Sequence, residues 1–419
     1  MPLRGTKGHE NQRDKNVPPI DDRRGFPTPS IGDFRMNNIM MIAGEASGDI
    51  YGAELARHLL TIIPGLKITG IGGSRMRSTG VDILCDMSDI SVVGLSEILP
   101  RLRAIKNAFN VVSKLIRSGG IDLVILIDYP GFNIRLAGAA KKAGVPAVYY
   151  ISPQVWAWRK GRIRLLAGRI KKMFVVLPFE EDIYKKEGIV CSFLGHPLVD
   201  EILSARPVED SMQLYGLNKN NKVIGILPGS RIGEVKALLP LFLDAVQIIR
   251  AGSPEIQTIM AVAESLDFNE VAGIVNKWKM TNNNMSFDVK LIRGEANDVI
   301  NVSDVIIAAS GTITLQAALL GKPMVIVYKL SLFTYTIAKL LVSVKDIGLV
   351  NIMAGKRIVP ELVQYDATPD KIASETKMFL YDTEYYEETK KGLNDIKLKL
   401  GPPGASERVA REIAGILYV

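Results

Sequence analysis

Two glycine-containing turns in the second half of the chain carry the side chains best suited to holding an anion. In Leu227-Pro228-Gly229-Ser230-Arg231, an apolar run that starts at Val223 stops at Pro228-Gly229. Beyond it, Ile232, Val235, Leu239, Phe242, Val246 and Ile249 recur at steps of three and four, with Glu234, Lys236, Asp244 and Arg250 on the other face. This predicts a strand, a tight turn and a helix. The unpartnered amides and positive dipole end of such a helix attract an anion, and Arg231 adds a planar cationic fork that matches phosphate oxygens. Asp304–Ala309 predicts a second buried strand, Ser310-Gly311-Thr312 a second turn, and Ile313–Leu320 a second helix. Parallel strands set such turns side by side at the carboxyl edge of a sheet, so the pair suits a diphosphate. Each turn taken alone is equally compatible with an ordinary strand-to-helix connection whose arginine faces water.

A candidate base lies in the first half. Ile121–Ile127 predicts a buried strand that ends at Asp128-Tyr129-Pro130-Gly131-Phe132-Asn133. A carboxylate at that end of a central parallel strand points into the ligand crevice, where it can take a proton from a hydroxyl. An aspartate that merely caps the turn fits the position as well. The turn Gly44-Glu45-Ala46-Ser47-Gly48-Asp49 follows a strand at Ile39–Ala43. Its glycine spacing departs from the dinucleotide fingerprint, so a nicotinamide site is poorly supported.

The elements that must position these residues read as two α/β halves facing a cleft. In the first, Ile68–Ile71, Ala147–Ile151 and Phe174–Leu177 add strands. In the second, strands begin near residues 223, 258, 289, 305 and 324, with helices between. A polar stretch from Ser204 to Asn221 separates them, placing one domain at 37–205 and the other at 206–370. Residues 371–419 read as helices interrupted by Gly401-Pro402-Pro403-Gly404, and residues 1–36 as a disordered, non-periodic extension without a secretory leader.

Charge and composition narrow the partners. The 419 residues carry a net charge of +8, which favours a polyanion: nucleic acid, anionic lipid or a phosphorylated substrate. Two cysteines and three histidines supply neither a disulfide framework nor a typical zinc site, so no metal and a reducing cytoplasm are expected. The helix predicted over Arg101–Arg117 carries Arg101, Arg103, Lys106, Lys114 and Arg117 without an acidic residue, and follows an apolar loop at Ser91–Leu99. That combination suits an anionic membrane surface, although an amphipathic helix packed on its own sheet looks similar. Trp156 and Trp158 precede seven basic residues between Arg159 and Lys172, a further surface for a phosphate-bearing partner.

Six motifs in this order resemble the lipid-A-disaccharide synthase family: Gly44–Asp49, Asp128–Asn133, Ser152-Pro153-Gln154-Val155-Trp156-Ala157-Trp158-Arg159, Gly195-His196-Pro197, Leu227–Arg231 and Ser310–Thr312. The resemblance runs from about Asn38 to the C-terminus. It implies an inverting glycosyltransferase of the GT-B fold, with two Rossmann-like domains and no cofactor. Its substrates would be UDP-2,3-diacylglucosamine and 2,3-diacylglucosamine 1-phosphate, and its products a β-1,6-linked disaccharide phosphate and UDP. It also implies a peripheral protein of the inner membrane that binds no nucleic acid and forms a homodimer. Its C-terminal helices would return to the N-terminal domain or be exchanged between subunits. The site residues that follow are Asp128 as base with Glu45 and Asn133 beside it. Gly229, Ser230, Arg231, Ser310, Gly311, Thr312, Gln316 and Asn351 would meet the donor, and Ser47, Trp156, Trp158, Arg159 and His196 the acceptor or membrane. The family pattern has a glutamate where this chain has Gln316, which changes how a ribose would be held. A UDP-N-acetylglucosamine 2-epimerase-like enzyme and a non-catalytic anionic-lipid-binding protein are the competing expectations.

Overall fold

A computed structural model describes residues 37–90, 98–154, 161–282, 288–329 and 346–418. The expected extension at 1–36, the apolar residues 91–97, and Trp156, Trp158 and Arg159 lie outside the described residues.

The first sheet takes its strands in the order β3-β2-β1-β4-β5-β6-β7. These are β1 (Asn38–Ala43), β2 (Lys67–Gly72), β3 (Asp82–Asp86), β4 (Leu123–Ile127), β5 (Ala147–Tyr150), β6 (Lys172–Val175) and β7 (Cys191–Phe193). The second has the order β10-β9-β8-β11-β12-β13, from β8 (Val223–Leu227), β9 (Gln257–Val262), β10 (Val289–Arg293), β11 (Val305–Ala309), β12 (Met324–Tyr328) and β13 (Glu361–Val363). Every pairing is parallel. The central strands are continuous aliphatic runs because helices cover both faces, and β4, β8 and β11 are buried along their whole length.

Strand order locates the crevice in each half. From β1 the chain moves outward to β2 and β3, and from β4 it moves the other way, so their connections diverge between β1 and β4. The same reversal falls between β8 and β11. At such a switch point the carboxyl ends of neighbouring strands open a gap for ligand. Glu45 follows β1, Asp128 follows β4, Arg231 follows β8 and Ser310 follows β11. Three short strands, β3, β7 and β13, were not apparent in the periodicity. All three are sheet edges, at most five residues long and only partly buried, so no unbroken apolar run marks them.

The last helices tie the halves together. Helix Thr383–Lys399 packs on Ile313–Leu319 and Leu349–Ala354 of the second half. After the Gly401–Gly404 break, helix Ala405–Leu417 lies along Ala46–Ile62 of the first. The Arg408 guanidinium donates to the Leu194 carbonyl at 2.9 Å, the His196 amide donates to Leu400 at 3.0 Å, and Lys172 pairs with Glu412. The C-terminal segment therefore returns to the first half of its own chain. The other connection is anchored on the second half, where Arg206 bonds Asp298 through both its amide and its guanidinium at 2.9 Å.

Candidate active site

The turn after β4 is held in a conformation that ordinary residues avoid. Asp128 and Tyr129 have φ of 42° and 46°, and Ile151 at the end of the adjacent β5 has 63°. Such left-handed backbone costs about 1–3 kcal/mol per residue and persists only where surrounding contacts fix it. Here the contacts are specific. The buried Asn133 amide donates to the carbonyls of Ile127 and Asp128 at 3.0 and 2.8 Å, and the Tyr149 hydroxyl donates to the Asp128 carbonyl. The Tyr129 hydroxyl donates to Ile90 at 2.6 Å, and its ring packs so closely on Gly44 that a Cβ there would stand 2.3 Å from it. Gly44 is thus required for close approach, and the tyrosine locks the β1 and β4 turns together.

Electrostatics then tune the carboxyl. Burial, with the neighbouring Glu45 charge second, pushes the pKa of Asp128 up to about 7; the Tyr129 amide opposes this and Glu180 adds to it. A base that is half-ionised near neutral pH is well matched to accepting a hydroxyl proton. Asp49, the last residue of the Gly44–Asp49 motif, does structural work. Its buried carboxylate accepts the amides of Gly73, Arg75 and Met76 at 2.6, 3.0 and 3.1 Å.

In the second half, Arg231 is the exposed N-cap of helix Ile232–Arg250, with φ −121° and ψ 129°. Gly229 before it has φ 114°, a value that favours glycine. Glu234, which periodicity assigns to the outer polar face, turns back instead toward Gly229 and Ser230. Gly311 and Thr312 are exposed at the start of helix Ile313–Leu319.

These turns border one cavity of about 340 Å³. Ser47, Tyr51, Asp128, Ser152 and His196 line it from the first half, and Arg231, Thr312, Leu315 and Leu349 from the second. Gly229, Ser230, Ser310 and Gly311 belong to the same two turns, whereas Glu45 acts on Asp128 through its charge and Asn133 through the main chain. One wall offers a half-buried base and the other a cation with helix amides, an arrangement suited to moving a group off a diphosphate onto a hydroxyl.

Comparison with known proteins decides which chemistry this is. A sequence model described as lipid-A-disaccharide synthetase matches residues 39–411. A lipid-A-disaccharide synthase of Geobacter sulfurreducens is 45% identical over 374 residues, 89% of this chain and 96% of the relative. One from Syntrophus aciditrophicus is 42% identical over 89% of this chain and 96% of its own. This chain belongs to the lipid-A-disaccharide synthase family. It is accordingly a glycosyltransferase of lipid A biosynthesis, from a family that acts on UDP-sugars. Among solved structures, a UDP-GlcNAc 2-epimerase from Neisseria meningitidis bound to UDP-GlcNAc is similar with a TM-score of 0.64, over 90% of this chain and 100% of that one. At 14% identity that likeness shows the shared two-domain fold and not a shared reaction.

Three positions that the synthase resemblance assigns to ligands are engaged with protein. Gln316 is buried, and its amide nitrogen donates to Glu201 of helix Leu198–Ile202 at 2.8 Å. Asn351 is fully buried; it donates to Val359 and Glu361 at 2.9 and 2.7 Å and accepts the amides of Ile358 and Val359. Both ends of its side chain are occupied, and from helix Leu349–Ala354 it fixes the following stretch Ile358–Glu361. His196 does border the cavity, but burial lowers its pKa to about 3, and its Nδ1 accepts the Leu198 amide at 3.1 Å. A neutral ring with its proton on Nε2 can donate one hydrogen bond but offers no positive charge to a phosphate.

Proposed function

We propose that the protein transfers 2,3-diacylglucosamine from its UDP derivative to the 6-hydroxyl of 2,3-diacylglucosamine 1-phosphate, releasing UDP. The carrying observation is that Asp128 and Arg231, from opposite halves, line the same cavity. Asp128 accepts the hydroxyl proton as the hydroxyl oxygen bonds to the anomeric carbon of the donor. The bond from that carbon to UDP breaks from the opposite face, and its electron pair leaves on the β-phosphate oxygen. Arg231 and the helix starts at Ile232 and Ile313 stabilise the charge that collects there. The Glu45 charge raises the basicity of the Asp128 carboxylate, and Asn133 holds its main chain in place. With cationic and amide groups already meeting the diphosphate, we infer turnover without a metal.

The lipid substrates call for an interface, and helix Ile98–Arg117 supports one. Its exposed side carries Leu102, Arg103, Lys106, Val111, Lys114 and Arg117, a cationic face with apolar side chains among the charges. Among the described residues no helix is long and apolar enough to cross a membrane. Peripheral attachment to the cytoplasmic face of the inner membrane is the resulting proposal; a homodimer is proposed on the family resemblance alone.

Mass spectrometry of products from the purified protein and both lipids tests this reading. A disaccharide monophosphate formed equally with and without EDTA is expected. No such product, or free UDP with only a modified monosaccharide, contradicts it.

A further inference from the structure

Glu234 sits where an ordinary helix surface residue would face water, yet its carboxylate folds back under the turn that precedes its helix. Its carboxylate lies beside the Ser230 amide, and its Oε2 stands 2.2 Å from the point where a Cβ on Gly229 would be. The space left by the absent Gly229 side chain is thus filled by the Glu234 carboxylate. Ser230 is held from the other side as well, its carbonyl accepting the Ser265 hydroxyl at 3.3 Å. Burial works against the Glu234 charge, while Arg231 and the Ser230 amide compensate it. A solvated glutamate behaves differently: Glu270 pairs with Lys236 at 2.7 Å, both exposed.

In a capping box, the third helical residue reaches back to the amide of the N-cap residue. Here the N-cap is Arg231 and the third helical residue is Glu234, but its carboxylate lands further back, under Gly229 and beside the Ser230 amide. The Arg231 N-cap thus has no side-chain cap bond, and Arg231 lines the cavity. We propose that Glu234 is a positioning residue of the donor site: it clamps the Ser230 amide and fixes the turn so that Arg231 and the helix start face the donor diphosphate. The Ser230 amide is then a structural donor and not a phosphate ligand. The inference deepens the donor site proposed above and rests on it.

Steady-state kinetics with both lipid substrates, and calorimetric titration of UDP, test it on wild type, Glu234→Ala and Glu234→Gln. Alanine removes the carboxylate and should raise KM for the UDP-sugar by about 10-fold, with acceptor KM within about two-fold. Glutamine keeps an acceptor oxygen and should restore most of the donor affinity. Glu234→Asp, too short to reach Ser230, replaces the alanine variant if that fails to fold, and predicts the same separation. An unchanged donor KM, an equal rise in both KM values, or no recovery with glutamine overturns the role of Glu234. Wild-type protein that binds no UDP would instead refute the donor site itself, so the two failures are distinguishable.

Discussion

The turns after β4 and β8 border the same cavity and are built on opposite plans. After β4, two non-glycine residues are forced to positive φ and tied down by Asn133, Tyr149 and the Tyr129–Ile90 bond. After β8, the unusual backbone angle falls on Gly229, which accepts it without strain, and the functional cation projects from an exposed N-cap. The difference follows from what each group must do. A base has to keep one orientation and a raised pKa, so the first half spends stability on strain and burial. A phosphate-binding cation needs access and a fixed anchor, so the second half uses a glycine turn and a glutamate clamp.

The comparison is broken most directly at the base. Asp128→Ala should lower kcat by about 10³-fold, within the range expected for losing a positioned general base, while KM for the UDP-sugar stays within a few-fold. Near-normal turnover would remove Asp128 from the role. On the other wall, Arg231→Ala should raise donor KM by roughly 10- to 100-fold, with a smaller effect on the acceptor; steady-state kinetics with each substrate varied in turn shows which side is hit.

A smaller effect sharpens the electrostatic half of the contrast. Since Asp128 must be ionised to accept a proton, the rate should rise with pH through about 7. Glu45 is the first charge that holds this value up, so Glu45→Gln should move the acidic limb of the kcat/KM profile to lower pH. A limb that stays put, or moves upward, contradicts the assignment. The smallest effect is on stability. A carboxyl whose folded pKa is raised above its unfolded value of 3.8 makes the protein progressively less stable as pH rises from about 4 to about 7. Asp128→Asn removes that cost, and its melting temperature should exceed wild type by a few degrees at pH 8 and by little at pH 4.

Much of this architecture was legible in the sequence because it is local. Continuous aliphatic runs such as Leu123–Ile127 and Val305–Ala309 mark buried parallel strands, and Pro228-Gly229 and Ser310-Gly311-Thr312 mark where they end. Strand ends then place Asp128, Arg231 and Thr312 near a shared crevice without any knowledge of tertiary contacts. What stayed hidden is partner choice between distant residues. Nothing in the periodicity distinguishes Gln316 bonded to Glu201, 115 residues away, from Gln316 facing a ligand. Asn351 likewise looks like a free loop amide until Glu361 and the Val359 backbone are seen to occupy it. Glu234 misled for a different reason: helical spacing assigns a face, but in the first turn a side chain can reach back past the N-cap.

The division of labour between the two walls is tested most directly by titrating UDP into Asp128→Asn and Arg231→Ala side by side with wild type. UDP affinity close to wild type in the first variant and strongly weakened in the second is the predicted result. Loss of UDP binding in Asp128→Asn, or full binding in Arg231→Ala, would contradict the account.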